Sequence, residues 1–147
     1  MKKLIIGSAI LLCIVSSSCK KEASSNTNCD KNVASIAGTY SFVKYEAGMS
    51  GVFQDVTHDF LEPCELDDKL TLNTNGTTVY KDLGTVCDPS GDETGAWAIS
   101  SDGKMTINDG TVDVSVADIT SFDCSTLVLT GTETGGSGIQ FRVTMKK

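Results

Sequence analysis

The feature that most limits what this chain can form is a two-residue alternation of apolar and polar side chains, repeated in several short runs. Leu70 and Leu72 alternate with Lys69, Thr71 and Asn73; Met105 and Ile107 alternate with Lys104, Thr106 and Asn108. Val112, Val114 and Val116 alternate with Thr111, Asp113 and Ser115, and Ile139, Phe141, Val143 and Met145 with Gln140, Arg142, Thr144 and Lys146. Successive side chains of a strand point to opposite faces, so each run buries one face and wets the other, whereas a helix needs a period near 3.6. Antiparallel strands with one solvated face have this pattern.

Turn-forming residues fall where such strands would reverse: Asn75-Gly76, Ser101-Asp102-Gly103, Asp109-Gly110 and the run Gly131 to Gly138. Strands are expected at 39–46, 51–56, 69–74, 77–82, 94–100, 104–108, 111–117, 125–131 and 138–146. Only His58 to Asp68 has room for a short helical turn, and Pro63, which has no amide hydrogen, limits its length. The fold class is therefore all-β, an antiparallel meander of eight or nine short strands forming a closed barrel or a sandwich.

The first residues obey a different rule. Met1-Lys2-Lys3 is followed by an apolar run from Leu4 to Val15 and then by Ser16-Ser17-Ser18-Cys19, the charged, apolar and small-residue order of an export signal. A membrane span needs about 20 apolar residues, so this run is too short to remain as a transmembrane helix. Small residues ending at a cysteine resemble the site where a bacterial lipoprotein signal is cut before a diacylated cysteine. Residues 1–18 are then the signal and Cys19 is the lipidation site. Residues 19–35 form the lipidated start and a flexible tether, and 36–147 form the domain. Several acyl chains on one residue suffice for stable anchoring, so the expected address is the outer membrane, facing the periplasm or the cell surface.

Cys13 leaves with the signal, and Cys29, Cys64, Cys87 and Cys124 remain in the domain. An even number in an exported domain reads as two disulfides, and sequence alone allows three connectivities. Pairing Cys64 with Cys87 would tie the segments flanking one hairpin, leaving Cys29 for Cys124. A zinc site is disfavoured because no two cysteines have C-x₂₋₄-C spacing and His58 is the only imidazole. The net charge of −7 argues against nucleic acid as a partner.

Gly38-Thr39-Tyr40, Cys64, Asp67-Asp68-Lys69-Leu70-Thr71-Leu72, Asn75-Gly76, Cys87, Gly95-Ala96-Trp97 and the last amphipathic strand follow one another in an order that resembles the lipocalin-like domain of small Bacteroidota lipoproteins. The resemblance implies an up-and-down barrel of eight or nine strands with at most one short helical turn, and no cofactor or catalysis. Tyr40 stands where the lipocalin Gly-x-Trp signature has tryptophan. Arg142, a candidate for the basic residue that covers that tryptophan, falls on the polar face of its strand.

No catalytic or metal constellation emerges. His58-Asp59 lies in a loop with no nucleophile-elbow motif anywhere in the chain. Asp88, Ser90 and Asp92 have the alternate spacing of a calcium loop, but Glu93 replaces the turn glycine and Ile99 stands at the acidic twelfth position. Glu62, Glu65, Asp67 and Asp68 read as solvated surface. Phe42, Trp97, Ile107, Leu129 and Phe141 are the candidate lining of an apolar cavity, since an eight-stranded barrel is just wide enough for one small ligand. The functional expectation is a non-enzymatic, lipid-anchored binding module, a monomeric domain for a small apolar ligand or an envelope protein. The alternative is a structural or interaction lipoprotein whose barrel is filled.

Overall fold

The computed structural model describes residues 29–108, 115–133 and 138–147. The export signal, Cys19, Asp109-Gly110, Val112 and Val114 lie outside the described residues. The elements are α1 (Val33–Ile36), β1 (Gly38–Met49), β2 (Val52–Asp55), α2 (Thr57–Phe60), β3 (Lys69–Leu72), β4 (Thr77–Lys81), β5 (Glu93–Ile99), β6 (Lys104–Asn108), β7 (Ser115–Phe122), β8 (Thr126–Thr132) and β9 (Gln140–Lys146).

All pairings are antiparallel, in the order β2-β1-β3-β4-β5-β6-β7-β8-β9, and a β1–β9 ladder closes the sheet. Eight strands make the barrel and β2 is an extra strand. Closure removes the free edges that an open sheet would expose. The expected barrel is present, with a detail that a simple meander lacks: one edge of β1 is shared between two partners. Gly38 to Ser41 pair with β3, and Glu46 to Met49 pair with β2. Between them Thr57 takes the place of a strand: its Oγ1 accepts from the Tyr45 amide at 3.0 Å, and the Val56 amide donates to the Tyr45 carbonyl at 2.9 Å.

Among the described residues two helical turns occur where at most one was expected. α2 begins just ahead of the segment judged able to hold a turn. The unexpected one, α1, is capped by Asn32, whose side chain accepts from the Ser35 amide at 2.9 Å.

The seventh strand also departs from expectation: among the described residues it runs over Ser115–Phe122, past the expected end at 117. Val116, expected to face inward, is 49 % exposed, while Ala117 and Ile119 are buried. Thr120 is an extra residue between the Ile119–Leu129 and Ser121–Val128 pairs, and this bulge returns Phe122 to the interior. Val43 is a second extra residue, between the Phe42–Met145 and Lys44–Thr144 pairs, and it turns Tyr45 to the inner side opposite Val143. Asn75-Gly76 turns the chain, but within a longer loop, since the last ladder pair is Leu72–Thr78 and Gly76 adopts φ +84°. Strands β3 and β4 are accordingly shorter than 69–74 and 77–82.

One end of the barrel is filled. Tyr40, Leu72, Met105, Phe122, Leu127 and Met145 are at most 1 % exposed there. Each such side chain contributes about 1.5–3 kcal/mol through apolar burial. The stretch from Cys29 to Ile36, polar in its first half, lies across this end. The Lys31 ammonium donates to the Ile119 carbonyl at 2.6 Å, the Lys147 ammonium to the Ser35 carbonyl at 2.7 Å, and the Tyr40 hydroxyl to the Ile36 carbonyl at 2.5 Å. Cys29 and Cys124 are joined with their Cα atoms 5.3 Å apart.

Candidate functional site

The opposite end differs. Ladder partners share a face, so the buried Leu70, Leu129 and Val143 identify the inward side of every strand they pair with. Following that side toward the far end, Phe42, Tyr45, Tyr80, Ile107 and Phe141 are only partly buried. Phe42 and Tyr80 have ring centroids 6.5 Å apart; Tyr45 stacks on Phe141 at 6.4 Å and on Phe60 of α2 at 4.3 Å. Gly131, paired with Phe141, makes room for that ring, because a Cβ at 131 would collide with the Phe141 side chain and with the Val116 carbonyl oxygen. Next to these rings a depression of about 460 Å³ is lined by Ala47, Gly48, Met49, Val52, Gln54, Val56 and Ile139. Ala47, Met49, Val52 and Gln54 sit on the side of the sheet that carries Phe141, so the depression prolongs the inner face beyond the barrel rim.

The five residues expected to line a cavity divide between the two ends. Trp97 and Leu129 are 4 % exposed and belong to the filled core, whereas Phe42, Ile107 and Phe141 are partly buried toward the open end. None of the five lines the 460 Å³ depression. Trp97 is committed to architecture: its indole N–H donates to the Asn73 carbonyl at 2.8 Å and its amide to the Gly76 carbonyl at 2.8 Å, holding the β3–β4 turn. Tyr45, Tyr80 and Phe60 were not singled out by sequence. Tyr45 escapes a period-two reading because of the Val43 bulge, and a spacing of three between Phe42 and Tyr45 is the mark that the bulge leaves.

The loops around the open end are held by carboxylates and a disulfide. Cys64 and Cys87 are joined with Cα atoms 5.4 Å apart, so both cross-links pair the cysteines as the hairpin argument favours. Asp68, expected on solvated surface, is 1 % exposed: it accepts from the Tyr80 hydroxyl at 2.7 Å and from the Leu83 amide at 2.8 Å. Asp82, 8 % exposed, accepts from the Cys87 and Gly91 amides at 3.0 and 2.9 Å. Burial and the neighbouring Asp68 carboxylate push the Tyr80 phenol well above its ordinary pKa. Burial, and then Glu133, raise that of Tyr45.

His58 and Asp59 are exposed on α2, and Asp88 and Ser90 are exposed. Asp92 bonds Lys81 and the Asp82 amide. Glu62, Cys64 and Cys87 bring three ligand-type atoms within 4.8 Å of one another, but both sulfurs are in the cross-link and so are not thiolate donors.

A cation covers Tyr40, and it is Lys147, 5.5 Å from the ring centroid and 5.2 Å from that of Phe122. Arg142 instead lies on the outer face, 4.4 Å over the Phe53 ring, where its Nε and Nη2 donate to Glu46 at 2.6 and 2.8 Å. Among the described residues no helix is long and apolar enough to cross a membrane.

A family model described as "Lipocalin-like domain" matches residues 36–129. No curated protein and no solved structure matches the chain.

Proposed function

Because the chain belongs to the lipocalin-like domain family, we propose that it is a binding module that receives one small apolar molecule at its open end and is held on the outer membrane by lipid on Cys19. The observation that carries this reading is the gradient along the inner face. The same inward side is sealed at one end, by Tyr40, Phe122 and Leu127, and presents half-buried aromatic rings at the other. Small-molecule sites are concave and mostly apolar with a few polar groups, and the open end has that make-up. Two disulfides fit a domain outside the cytoplasm. The filled lower half favours the rival reading, a structural lipoprotein with no small ligand. The test is mass spectrometry of the protein mildly extracted from its own cells. The denatured protein is expected to begin at Cys19 with an acyl mass attached. The native protein is expected to carry one small-molecule adduct that leaves on unfolding. An unacylated N-terminus would remove the anchor, and absence of any adduct together with failure to take up added apolar probes would favour the filled barrel.

A further inference from the structure

The point at which the chain enters the barrel decides which end an anchor at Cys19 would hold down. Cys29, the first described residue, is ten residues after Cys19. Its sulfur is joined to Cys124 in the turn between β7 and β8, and its amide donates to the Phe122 carbonyl at 3.3 Å. Two residues on, the Lys31 ammonium donates to the Ile119 and Thr120 carbonyls at 2.6 and 3.2 Å. The chain therefore comes onto the barrel at its filled end. A ten-residue tether reaches about 33–36 Å when fully extended and spans roughly 16–19 Å as a flexible coil. Nine steps along β1 separate Tyr40 at the seal from Met49 at the open rim. That is a run of about 30 Å along the strand, or roughly 20–25 Å along the axis of a barrel whose strands tilt by about 35–45°. With the filled end down, a relaxed tether suffices. With the open end down, the tether is drawn well beyond its relaxed span.

We infer that the filled end is the face turned to the membrane head groups and that the open end points away from the bilayer. The inference rests on the proposed lipid at Cys19 and adds the direction in which the binding end is presented. Charge acts in the same sense. The open-end loops 56–68 and 82–92 hold eight aspartates and glutamates and no lysine or arginine, and Lys81 beside them binds Asp92. The filled end mixes the exposed Lys31, Lys146 and Lys147 with Asp30, Asp102 and Asp123. A bilayer with anionic head groups therefore repels the open end more than the filled one. The rival posture would sink the exposed Met49, Val52 and Phe60 into the bilayer, but it stretches the tether and brings those carboxylates to the head groups. Turned outward, the same apolar residues stand on the aqueous side. A small apolar molecule then enters from that compartment and not sideways from the anchoring membrane.

Once Met1 has left with the signal, three methionines report on the two ends: Met49 at the open rim, 58 % exposed, and Met105 and Met145, buried at the filled end. The test places the acylated wild-type protein, isotope-labelled at its methionine methyls, in nanodiscs of phosphatidylethanolamine and phosphatidylglycerol. A small share of the lipids carries a gadolinium chelate on the head group, and nanodiscs without the chelate give the reference spectrum; Met49→Leu assigns the rim signal. The paramagnetic loss falls steeply with distance from the lipid-borne ion. Met105 and Met145 are therefore expected to lose more methyl intensity than Met49, although they are the buried ones. An equal or larger loss at Met49 overturns the inference and leaves the anchor standing. Loss at none of the three overturns it as well, and if the intact mass then shows no acyl group, the anchor falls with it.

Discussion

Glu46 is a heavily engaged ion on the outer face of the barrel. Its side chain is 8 % exposed and accepts two bonds from the Arg142 guanidinium and one from Lys44, at 2.9 Å. Those bonds hold its pKa at about 2 against an ordinary 4.5. A depressed carboxylate stabilises the fold fully above its unfolded pKa, and that contribution is lost as pH falls through the folded value. Glu46→Gln is therefore expected to cost about 1–2 kcal/mol at pH 7, and the difference from wild type should shrink as pH falls from about 4.5 toward 2. Urea denaturation at several pH values reads this directly, and a difference that stayed constant down to pH 2.5 would show that the ion pairs do not contribute. Arg142 could be assigned to the polar face from its alternation with Phe141 and Val143. Its partner could not, because Glu46 becomes its neighbour only through the ladder between β1 and β9. Asp68 was misjudged for a related reason: a carboxylate in an acidic run looks solvated until the fold brings the Tyr80 hydroxyl and the Leu83 amide to it.

At the level of elements, the strands with unbroken alternation, β3, β6 and β9, were legible because their inward residues recur every second position. The strands with bulges were not. In β7 the inward residues Ala117, Ile119 and Phe122 break the period at Thr120, and Val116, read as inward from its spacing, faces out. The cross-links are elements of the fold in their own right. Cys29–Cys124 closes a sequence separation of 95 residues and Cys64–Cys87 one of 23. If their effect comes mainly from restricting the unfolded chain, removal should cost about 4.5 kcal/mol for the first and about 3.5 kcal/mol for the second. Paired Cys→Ser variants, unfolded in guanidinium, are expected to keep that order. The Cys29–Cys124 loss should also loosen α1 over the filled end, seen as faster exchange of the backbone amide at position 29, which in the native protein donates to the Phe122 carbonyl at 3.3 Å. A larger loss from Cys64/Cys87 would mean that the loops at the open end, with Asp68 and Asp82, carry more of the stability than the seal does.

For the whole molecule, alternation and turn spacing make an antiparallel all-β meander readable along the chain, and the choice of a closed barrel over a sandwich came from the resemblance to lipocalin-like domains. The difference between its ends is not readable in that way, because the sealing bonds run mostly from the Lys31, Tyr40 and Lys147 side chains to main-chain carbonyls that only the closed ladder brings within reach. Trp97 shows the consequence. Its aromatic character suggested a cavity wall, whereas the turn it holds places it in the filled half. The central claim is that one end of this barrel is closed by its own core and the other is receptive. Its most direct test is fluorescence titration with the uncharged probe N-phenyl-1-naphthylamine, which reads apolar binding without regard to charge. The expected result is saturable binding of one probe per chain, weakened by about tenfold or more in Phe141→Ala and Tyr45→Ala and unaltered in Met105→Leu at the filled end. Absence of saturable binding to the wild-type protein, or mouth variants that retain its affinity, would contradict the claim.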